Sequence, residues 1–523
     1  MKQQELSTAT DRSLRRAISN DYLAEETGHV RRLARQAKLL PSQRRQVDAM
    51  ARAMIESLRK QKLKRGSLEA FMNEYDLSTE EGSVMMCMAE ALLRIPDTAT
   101  RDALIHDSLV RGNWQSHLGH SDSRLVDAAT WALMLSGRVV QAAEGLNPLD
   151  STLKRLLAKR GEPVIRESIM QAMHVVGNHF VCGESIQQAL DAVQSSQNHG
   201  YRYSFDMLGE AALTAEDAQH YAAAYEGAIR ALARRGSYTS AQNAPGISVK
   251  LSALHPRFHP LQAERVKREL PDVLLQLAQL AKNANIGLTV DAEEADRLDL
   301  TLDVFASVYK DPSLAGWDGL GLAVQAYQKR APAVIEWLDA LAHDRGRRIP
   351  TRLVKGAYWD TEIKQAQRLG LADYPVFTRK THTDVSYMAC VRQLFRAPGL
   401  LPQFATHNAH SIAAVRCLAP ADAAYEFQRL HGMAETLYDP LVAEGLACRV
   451  YAPVGSHKHL LAYLVRRLLE NGANNSFVNR LHKSRVPVSQ LSRDPVEAAR
   501  EHKCLPHPRI PLPEHIYGPE RAN

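Results

Sequence analysis

The pattern of hydrophobic and polar positions changes near the middle of the chain. Up to about residue 185, apolar residues recur at steps of three and four, as Val47, Met50 and Met54 do, which is the spacing of one face of an α-helix. We therefore expect a helical arm over residues 1–60 and an all-α domain over residues 61–185.

Beyond residue 200, short apolar runs rich in β-formers alternate with longer helical stretches. Eight runs read as strands: RYSFDML, GISVKLSAL, IGLTVDA, LGLAVQAY, TRLVKGAY, PQFATH, AYEFQRL and CRVYAPV. Helical pieces such as PDVLLQLAQLAKNA lie between them, which predicts parallel strands joined by crossover helices. The number of predicted strands and the length of the region favour an α/β fold of the (β/α)8 TIM-barrel type over residues 186–485. A doubly wound open sheet is the alternative. The Pro-rich stretch 486–523 is predicted to be a linker-like tail.

Composition narrows the class of protein. The chain has 523 residues, 45% hydrophobic and 24% charged, which excludes disordered and collagen-like proteins. Its net charge of +7 fits an anionic ligand, a membrane surface or nucleic acid equally well. The six cysteines are scattered, without a CxxC pair, so no disulfide framework or zinc site is predicted. The polar start predicts a cytoplasmic protein whose membrane contact, if any, is peripheral, on the inner face of the membrane.

The arm is rich in arginine and lysine, which allows a DNA-binding regulator as a further hypothesis. A solvated helix face is the favoured interpretation, because no nucleic-acid motif accompanies these charges.

Polar residues follow most of the predicted strands, where a TIM barrel carries its catalytic groups. In chain order they are Glu210, Lys250, Asp291, Glu293, Glu294, Gln325, Arg352, Lys355, Tyr358, Thr406, His407, Asn408, Gln428 and Tyr451.

Lys250 is the most unusual of these residues, because a parallel strand is buried on both faces. A lysine there needs an anionic partner or an altered pKa. It either forms an ion pair inside the barrel, with Asp291 as a candidate partner, or takes part in chemistry. Lys250 and Lys355 also permit a Schiff-base lyase or aldolase, in which a desolvated amine attacks a carbonyl.

A second cationic group follows the last strand. Tyr463, Arg466, Arg467 and Glu470 share one helix face at positions i, i+3, i+4 and i+7. Adjacent arginines form a fork for a carboxylate or phosphate, although an exposed Arg/Glu face has the same pattern. The run GLGLAV lacks the third glycine of a dinucleotide fingerprint, and the histidine pairs lack carboxylates at metal-ligand spacing. No metal site is predicted.

The chain as a whole resembles a known family, the proline dehydrogenase half of the bacterial bifunctional proline utilization A flavoproteins. The resemblance covers almost the whole chain and rests on these motifs: SFDMLGEAA, ISVKLSALHPR, LTVDAEEADRLDLTLDVF, LAVQAY, RLVKGAYWDTEIKQAQ, FATHNAH and VYAPVGSHKHLLAYLVRRLLENGANNSF.

The resemblance implies non-covalent FAD and the oxidation of L-proline to Δ1-pyrroline-5-carboxylate, by hydride transfer to flavin N5. This reaction is the first step of proline catabolism to glutamate, with electrons passed on to a quinone. No side chain stands out as an obligatory base, so solvent would take the amine proton. The implied substrate-side residues are Lys250, Arg466 and Arg467 for the carboxylate, Tyr358, Tyr451, Tyr463, Leu353 and Leu430 for the ring, Asp291 as an orienting group, and Glu210 as a gate with Arg466.

On the cofactor side the matching positions are Gln325, Arg352, Lys355, Thr378, Thr406, His407, Asn408, Gln428 and Glu470. Arg352 and Lys355 would stabilise negative charge on the reduced flavin ring. The arm resembles the family's dimerisation arm, so it either joins two copies or wraps its own barrel.

Two modules that the family can carry are not recognisable in the sequence. We recognise neither a ribbon-helix-helix before Asp11 nor an aldehyde dehydrogenase half within residues 1–523. We therefore expect no binding of nucleic acid and no oxidation of the semialdehyde product by this chain.

Overall fold

The protein is described from a computed structural model of the chain. The structure describes residues 8–60, 100, 181–195, 200–455, 477–481 and 486–518. The all-α domain expected over residues 61–185 lies almost wholly outside them.

Eight parallel strands form a closed barrel in chain order, with the last strand paired to the first. The barrel confirms the TIM-type prediction and excludes the open sheet. The strands are β1 (Tyr201–Met207), β2 (Gly246–Val249), β3 (Gly287–Val290), β4 (Leu320–Gln325), β5 (Ile349–Val354), β6 (Leu400–Ala405), β7 (Glu426–Leu430) and β8 (Cys448–Val454).

Helices cover the outside of the barrel and both ends of the chain. In chain order they are α1 (Thr8–Asn20), α2 (Glu26–Ala37), α3 (Pro41–Lys60), α4 (Ile186–Ser195), α5 (Ala215–Arg235), α6 (Leu251–Leu254), α7 (Ala263–Asn283), α8 (Leu298–Tyr309), α9 (Ala331–Arg345), α10 (Trp359–Arg368), α11 (Lys380–Leu394), α12 (Ala409–Leu418), α13 (Glu435–Ala443), α14 (Phe477–Leu481), α15 (Val488–Leu491) and α16 (Pro495–Glu501). Crossover helices such as α7 and α9 bury their apolar faces on the strands, because parallel neighbours must be joined across the sheet. None of the helices among the described residues is long and apolar enough to cross a membrane.

The N-terminal arm wraps its own barrel, which is one of the two arrangements that the sequence allowed. α1 packs on α9, α2 on α11 and α3 on α12. The fully buried ammonium group of Lys329 donates to the carbonyl of Ala24 at 2.6 Å, and Trp337 Nε1 donates to Asp11 at 2.9 Å. Apolar burial and specific polar contacts therefore both hold the arm in place.

The Pro-rich tail is more ordered than its sequence pattern indicates. α16 packs on α11, and its Val496 and Ala499 are buried with Val30 and Val385. Asp494 caps this helix by accepting the amide of Val496 at 2.8 Å. A helix of seven residues makes only about two turns, which is too short for helical periodicity to stand out in the sequence.

Candidate active site

An ionic cluster lies at the carboxyl ends of strands β1, β2, β3 and β8. Lys250 directly follows β2, and its Nζ lies 2.7 Å from Asp206 Oδ2, 3.3 Å from the Tyr451 hydroxyl and 3.6 Å from Asp291 Oδ2. The Tyr451 hydroxyl also lies 2.7 Å from each of these two carboxylates. Every member is buried or half-buried, and the barrel brings together strands that are far apart in the chain.

The electrostatics of this cluster keep Lys250 charged. Burial alone would lower the pKa of Lys250, but the attraction of Asp206, Tyr451 and Asp291 outweighs it and raises that pKa well above its ordinary value. Burial raises the pKa of Asp206, whose Oδ1 is buried without a hydrogen-bond partner among the described residues. Burial and the two neighbouring carboxylates also raise the pKa of Tyr451. Lys250 is therefore a fixed cation.

This environment argues against the Schiff-base alternative for Lys250. Attack on a carbonyl requires a neutral amine, which enzymes obtain by lowering the pKa of a lysine. The two carboxylates and the phenol around Nζ instead raise the pKa of Lys250.

Arg352 extends the cluster from β5. Its guanidinium contacts Asp291 Oδ1, donates to Ser248 Oγ at 3.0 Å, and lies 5.2 Å from the centre of the Tyr451 ring. Its Nε is buried without a hydrogen-bond partner in the part of the chain that the structure describes. Asp291 thus contacts both Tyr451 and Arg352, and the guanidinium keeps a donor without a partner among the described residues.

Lys355 belongs to a second cluster, at the ends of β5 and β6. Its Nζ pairs with Asp384 of α11, donates to Ser411 Oγ at 3.2 Å, and lies 5.4 Å from the centre of the Tyr387 ring. Burial would raise the pKa of Asp384, but Lys355 and Lys380 outweigh it, so the pKa lies far below its usual range. Asp384 is therefore a permanent anion that holds Lys355 in place.

The next residue, Gly356, allows this loop to approach its neighbour closely. Its φ is +147°, and a Cβ atom there would lie 2.3 Å from the Tyr327 ring. A side chain is excluded on both grounds, so the turn after Lys355 requires glycine.

Other predicted cofactor-side residues lie at neighbouring strand ends with defined partners. Gln325 donates to the carbonyl of Glu293 at 2.8 Å and accepts the amide of Ala357 at 3.2 Å, so it bridges two loops. Asn408 caps α12 by accepting the amide of Ser411.

The remaining residues of this group cluster around β6 and β7. His407 Nε2 accepts the amide of Leu430 at 3.2 Å, which assigns the ring proton to Nδ1 in the neutral form. Thr406 Oγ1 accepts the amide of Asn408, and Gln428 donates to Glu426 at 2.9 Å.

Four further predicted residues lie at other positions of the barrel end and its surroundings. Thr378 is buried beside the arm, and Leu353 is fully buried within the main hydrophobic core. Glu210 is half-buried after β1, and Tyr358 is half-buried at the start of α10. Tyr463, Arg466, Arg467 and Glu470 lie outside the described residues.

Sequence reasoning missed several members of the two clusters. Asp206 is the closest partner of Lys250, and an acid inside the apolar run SFDML is the same signal that singled out Lys250. Asp384 follows the polar run KTHT at the start of α11 and carries no such signal in the sequence. Ser248 and Tyr225, which accepts the Lys250 amide at 3.3 Å, carry no comparable signal.

A closed parallel barrel with cations at its carboxyl-terminal end is the form taken by many enzymes that bind anionic substrates and cofactors. The family model described as proline dehydrogenase matches residues 189–480, which is more than half of the chain. The chain therefore belongs to the proline dehydrogenase family. A model described as the proline utilization A proline dehydrogenase N-terminal domain matches residues 12–59, the segment that forms the arm.

A third family model corrects one expectation. The model described as the DNA-binding domain of proline dehydrogenase matches residues 67–180. The expectation that the chain lacks a recognisable DNA-binding module conflicts with this match. These residues lie outside the described part of the structure.

Individual proteins and structures support the family assignment. The chain is 50% identical to the bifunctional protein PutA of Salmonella typhimurium over 97% of its own length and 40% of that protein. It is 29% identical to the proline dehydrogenase of Deinococcus radiodurans over 62% of this chain and 96% of that one. A solved structure of proline utilization A from Bradyrhizobium japonicum, the D779W mutant, superposes with a TM-score of 0.74 at 47% identity, covering 96% of this chain and 51% of that one. The chain thus spans about two fifths of the length of the bifunctional relative.

Proposed function

We propose that this chain oxidises L-proline to Δ1-pyrroline-5-carboxylate with FAD as its cofactor. The observation that carries the proposal is the buried cluster in which Lys250 is a fixed ammonium and Tyr451 has a fixed orientation. An amino acid substrate requires a cation for its carboxylate, and an apolar ring requires a wall beside it. Both are present at one end of the barrel in a protein of the proline dehydrogenase family.

Three residues of the cluster have separate tasks in this proposal. Lys250 binds the proline carboxylate, together with Arg466 and Arg467, which the resemblance assigns to the same role. The Tyr451 ring faces the pyrrolidine ring, and Asp291 holds it there through a hydrogen bond of 2.7 Å. Solvent accepts the proton of the substrate amine.

The residues at the ends of β5 and β6 suit FAD. Arg352 Nε, which has no hydrogen-bond partner within the described residues, and the ammonium of Lys355 offer positive charge and donors. An anionic flavin or pyrophosphate offers acceptors. When bound, FAD supplies the hydride acceptor. The residues proposed to hold it are Gln325, Arg352, Lys355, Thr378, Thr406, His407, Asn408 and Gln428, with Glu470 from the sequence match.

The partners of the reaction follow from the same resemblance. A quinone would reoxidise the cofactor, and a cytoplasmic protein would meet that quinone through peripheral contact with the inner face of the membrane.

One experiment tests the proposal directly. The visible absorption of the purified protein is recorded anaerobically before and after the addition of L-proline. A flavin spectrum that bleaches on addition is expected. Protein that stays colourless after incubation with FAD, or a flavin spectrum that proline leaves unchanged, would overturn the assignment.

A further inference from the structure

A buried carboxylate of the arm lies at the beginning of α11. Glu26, the first residue of α2, is only 1% exposed. Its two oxygens accept the amide of Thr378 at 3.1 and 3.2 Å, and Oε2 accepts the Thr378 hydroxyl at 2.9 Å. His382 Nδ1 lies 2.6 Å from Oε1, and since a carboxylate can only accept, Nδ1 is the donor. One side chain of the arm therefore contacts three groups around the start of one barrel helix.

Glu26 places a carboxylate beside the start of a helix whose own N-cap residue makes no capping hydrogen bond, and it accepts the amide of Thr378, one residue before that N-cap. The N-cap residue of α11 is Arg379, whose side chain makes no capping hydrogen bond. A negative charge is favourable at a helix N-terminus, because it faces the unpaired amides and the positive end of the helix dipole. The arm supplies that charge from a distant part of the chain.

The polar contact is not needed to attach the arm. Val30 and Leu33 of α2 already bury against Val385, Met388 and Ala389 of α11. A buried charge loses its hydration, and a well-packed apolar residue often gives equal or greater stability at such a position. The specific role of Glu26 is therefore to fix the position of the first turn of α11 relative to the arm.

The same helix holds Lys355. Asp384, in the second turn of α11, pairs with Lys355, and the ring of Tyr387 lies beside the same ammonium group. Any shift of the first turns of α11 therefore moves the groups that position Lys355. Glu26 contacts the start of this helix, at Thr378 and His382.

The C-terminal tail meets the arm at the same place. His507 donates its amide to Thr378 Oγ1 at 2.8 Å, and Arg379 Nε donates to the carbonyl of Leu505 at 2.8 Å. The Thr378 hydroxyl thus donates to Glu26 and accepts from the tail. Arm, barrel and tail are joined at the residue that precedes the N-cap of α11.

We propose that Glu26 is a positioning residue for the cofactor end of the site. It fixes the first turn of α11 from the arm, and through Asp384 it determines where the Lys355 ammonium lies. The inference rests on the proposed function, because it takes Lys355 to contact FAD. Loss of the carboxylate then weakens FAD binding although no group that touches the cofactor has been removed.

The test compares two glutamines in the arm. Glu26→Gln keeps the size of the side chain but turns an amide donor toward groups that are themselves donors. Glu56→Gln makes the same chemical change at an exposed position of α3 and is the matched control. We expect Glu26→Gln to weaken FAD binding about tenfold, measured by titration of flavin fluorescence, and Glu56→Gln to leave it at the wild-type value. Wild-type affinity in Glu26→Gln would overturn the proposal.

A double-mutant cycle separates positioning from general loss of stability. If Glu26 acts through Lys355, Glu26→Gln has no further effect on FAD affinity in a Lys355→Met background. Equal weakening in both backgrounds would contradict the route through Lys355. Should Glu26→Gln fail to fold, His382→Leu removes the opposite partner and is measured in the same cycle.

Hydrogen exchange tests whether Glu26 fixes the start of α11, without reference to flavin. In protein without added FAD, the amides of residues 378–384 should exchange faster in Glu26→Gln than in wild type or Glu56→Gln. Unchanged exchange would contradict the proposal that Glu26 fixes the first turn of α11. Wild-type protein that binds no FAD would instead refute the proposed function, and the exchange data would still decide the role of Glu26.

Discussion

Lys250 and Asp206 form a buried ion pair across the first two strands of the barrel, with Nζ 2.7 Å from Oδ2. The two residues are 44 positions apart in the chain, and neither is accessible enough for water to replace its partner. Each charge therefore depends on the other for compensation in the barrel interior.

Replacing Asp206 should strongly destabilise the protein. Asp206→Ala leaves the Lys250 ammonium with a more distant carboxylate, and loss of one member of a buried pair costs about 3–5 kcal/mol. The free energy of unfolding is measured with urea. Asp191→Ala breaks the exposed pair with Arg235 and is the control, with an expected cost below about 1 kcal/mol. A similar decrease in the free energy of unfolding in the two variants would contradict the larger contribution expected of the buried pair.

Lys250→Met should raise the KM for proline at least about tenfold, because it removes a cation that binds the carboxylate. The FAD content of the purified protein should stay unchanged. Steady-state kinetics with an artificial acceptor measure the effect, and Lys267→Met, at a surface pair with Glu264, is the control. A KM equal to that of the control would exclude Lys250 from the carboxylate site.

Arg466→Met and Arg467→Met should each raise the KM for proline and leave flavin binding intact, because the fork binds substrate and not cofactor. Arg480→Met, on α14, is the matched control. If both variants keep the wild-type KM, the fork does not bind the substrate.

Lys355→Met should weaken FAD binding or slow flavin reduction, because the ammonium that offsets negative charge at the cofactor is lost. The change should exceed about tenfold in one of the two quantities. Flavin titration and anaerobic stopped-flow reduction by proline measure them. Lys310→Met, at an ordinary helix end, should leave both unchanged. Normal values for Lys355→Met would refute its cofactor role.

The stability of the protein should depend on the ionisation of Glu362. Burial, with Asp296 and Glu294 nearby, raises the pKa of this carboxyl to about 7, although it accepts the amide of Ala295 at 2.7 Å. Its pKa in the native state thus lies above the ordinary 4.5, so the native state holds a proton that the unfolded chain has released. The contribution of this protonated carboxyl to the free energy of unfolding is fully present below about pH 4.5 and is lost as the pH rises through about 7.

Glu362→Gln removes this dependence. Relative to the variant, the wild-type free energy of unfolding should fall by up to about 3 kcal/mol between pH 4.5 and pH 7.5, then stay level. Denaturant curves across this range measure the difference. A difference that does not change with pH would show that Glu362 is ionised in the folded protein throughout.

The order and type of the barrel elements were predictable because they depend on local pattern. A buried parallel strand must be apolar over most of its length, so runs such as GISV and LGLAV stand out against the helices between them. The polar residues that interrupt or follow such runs mark the carboxyl ends of the strands. Lys250, Asp291, Arg352 and Tyr451 were found in this way, and the structure joins them in one cluster.

What the sequence alone determined, then, is the barrel, its direction and the charged positions that need explanation. Only the tertiary structure decided which charges pair. The sequence proposed Asp291 as the partner of Lys250, yet Asp206 lies nearer, because strand register and barrel closure set that distance. Helical periodicity likewise predicted the arm but not the barrel beneath it, since an apolar stripe does not specify the surface that buries it. The contact between Glu26 and Thr378, 352 residues apart, follows from chain folding and leaves no local signal.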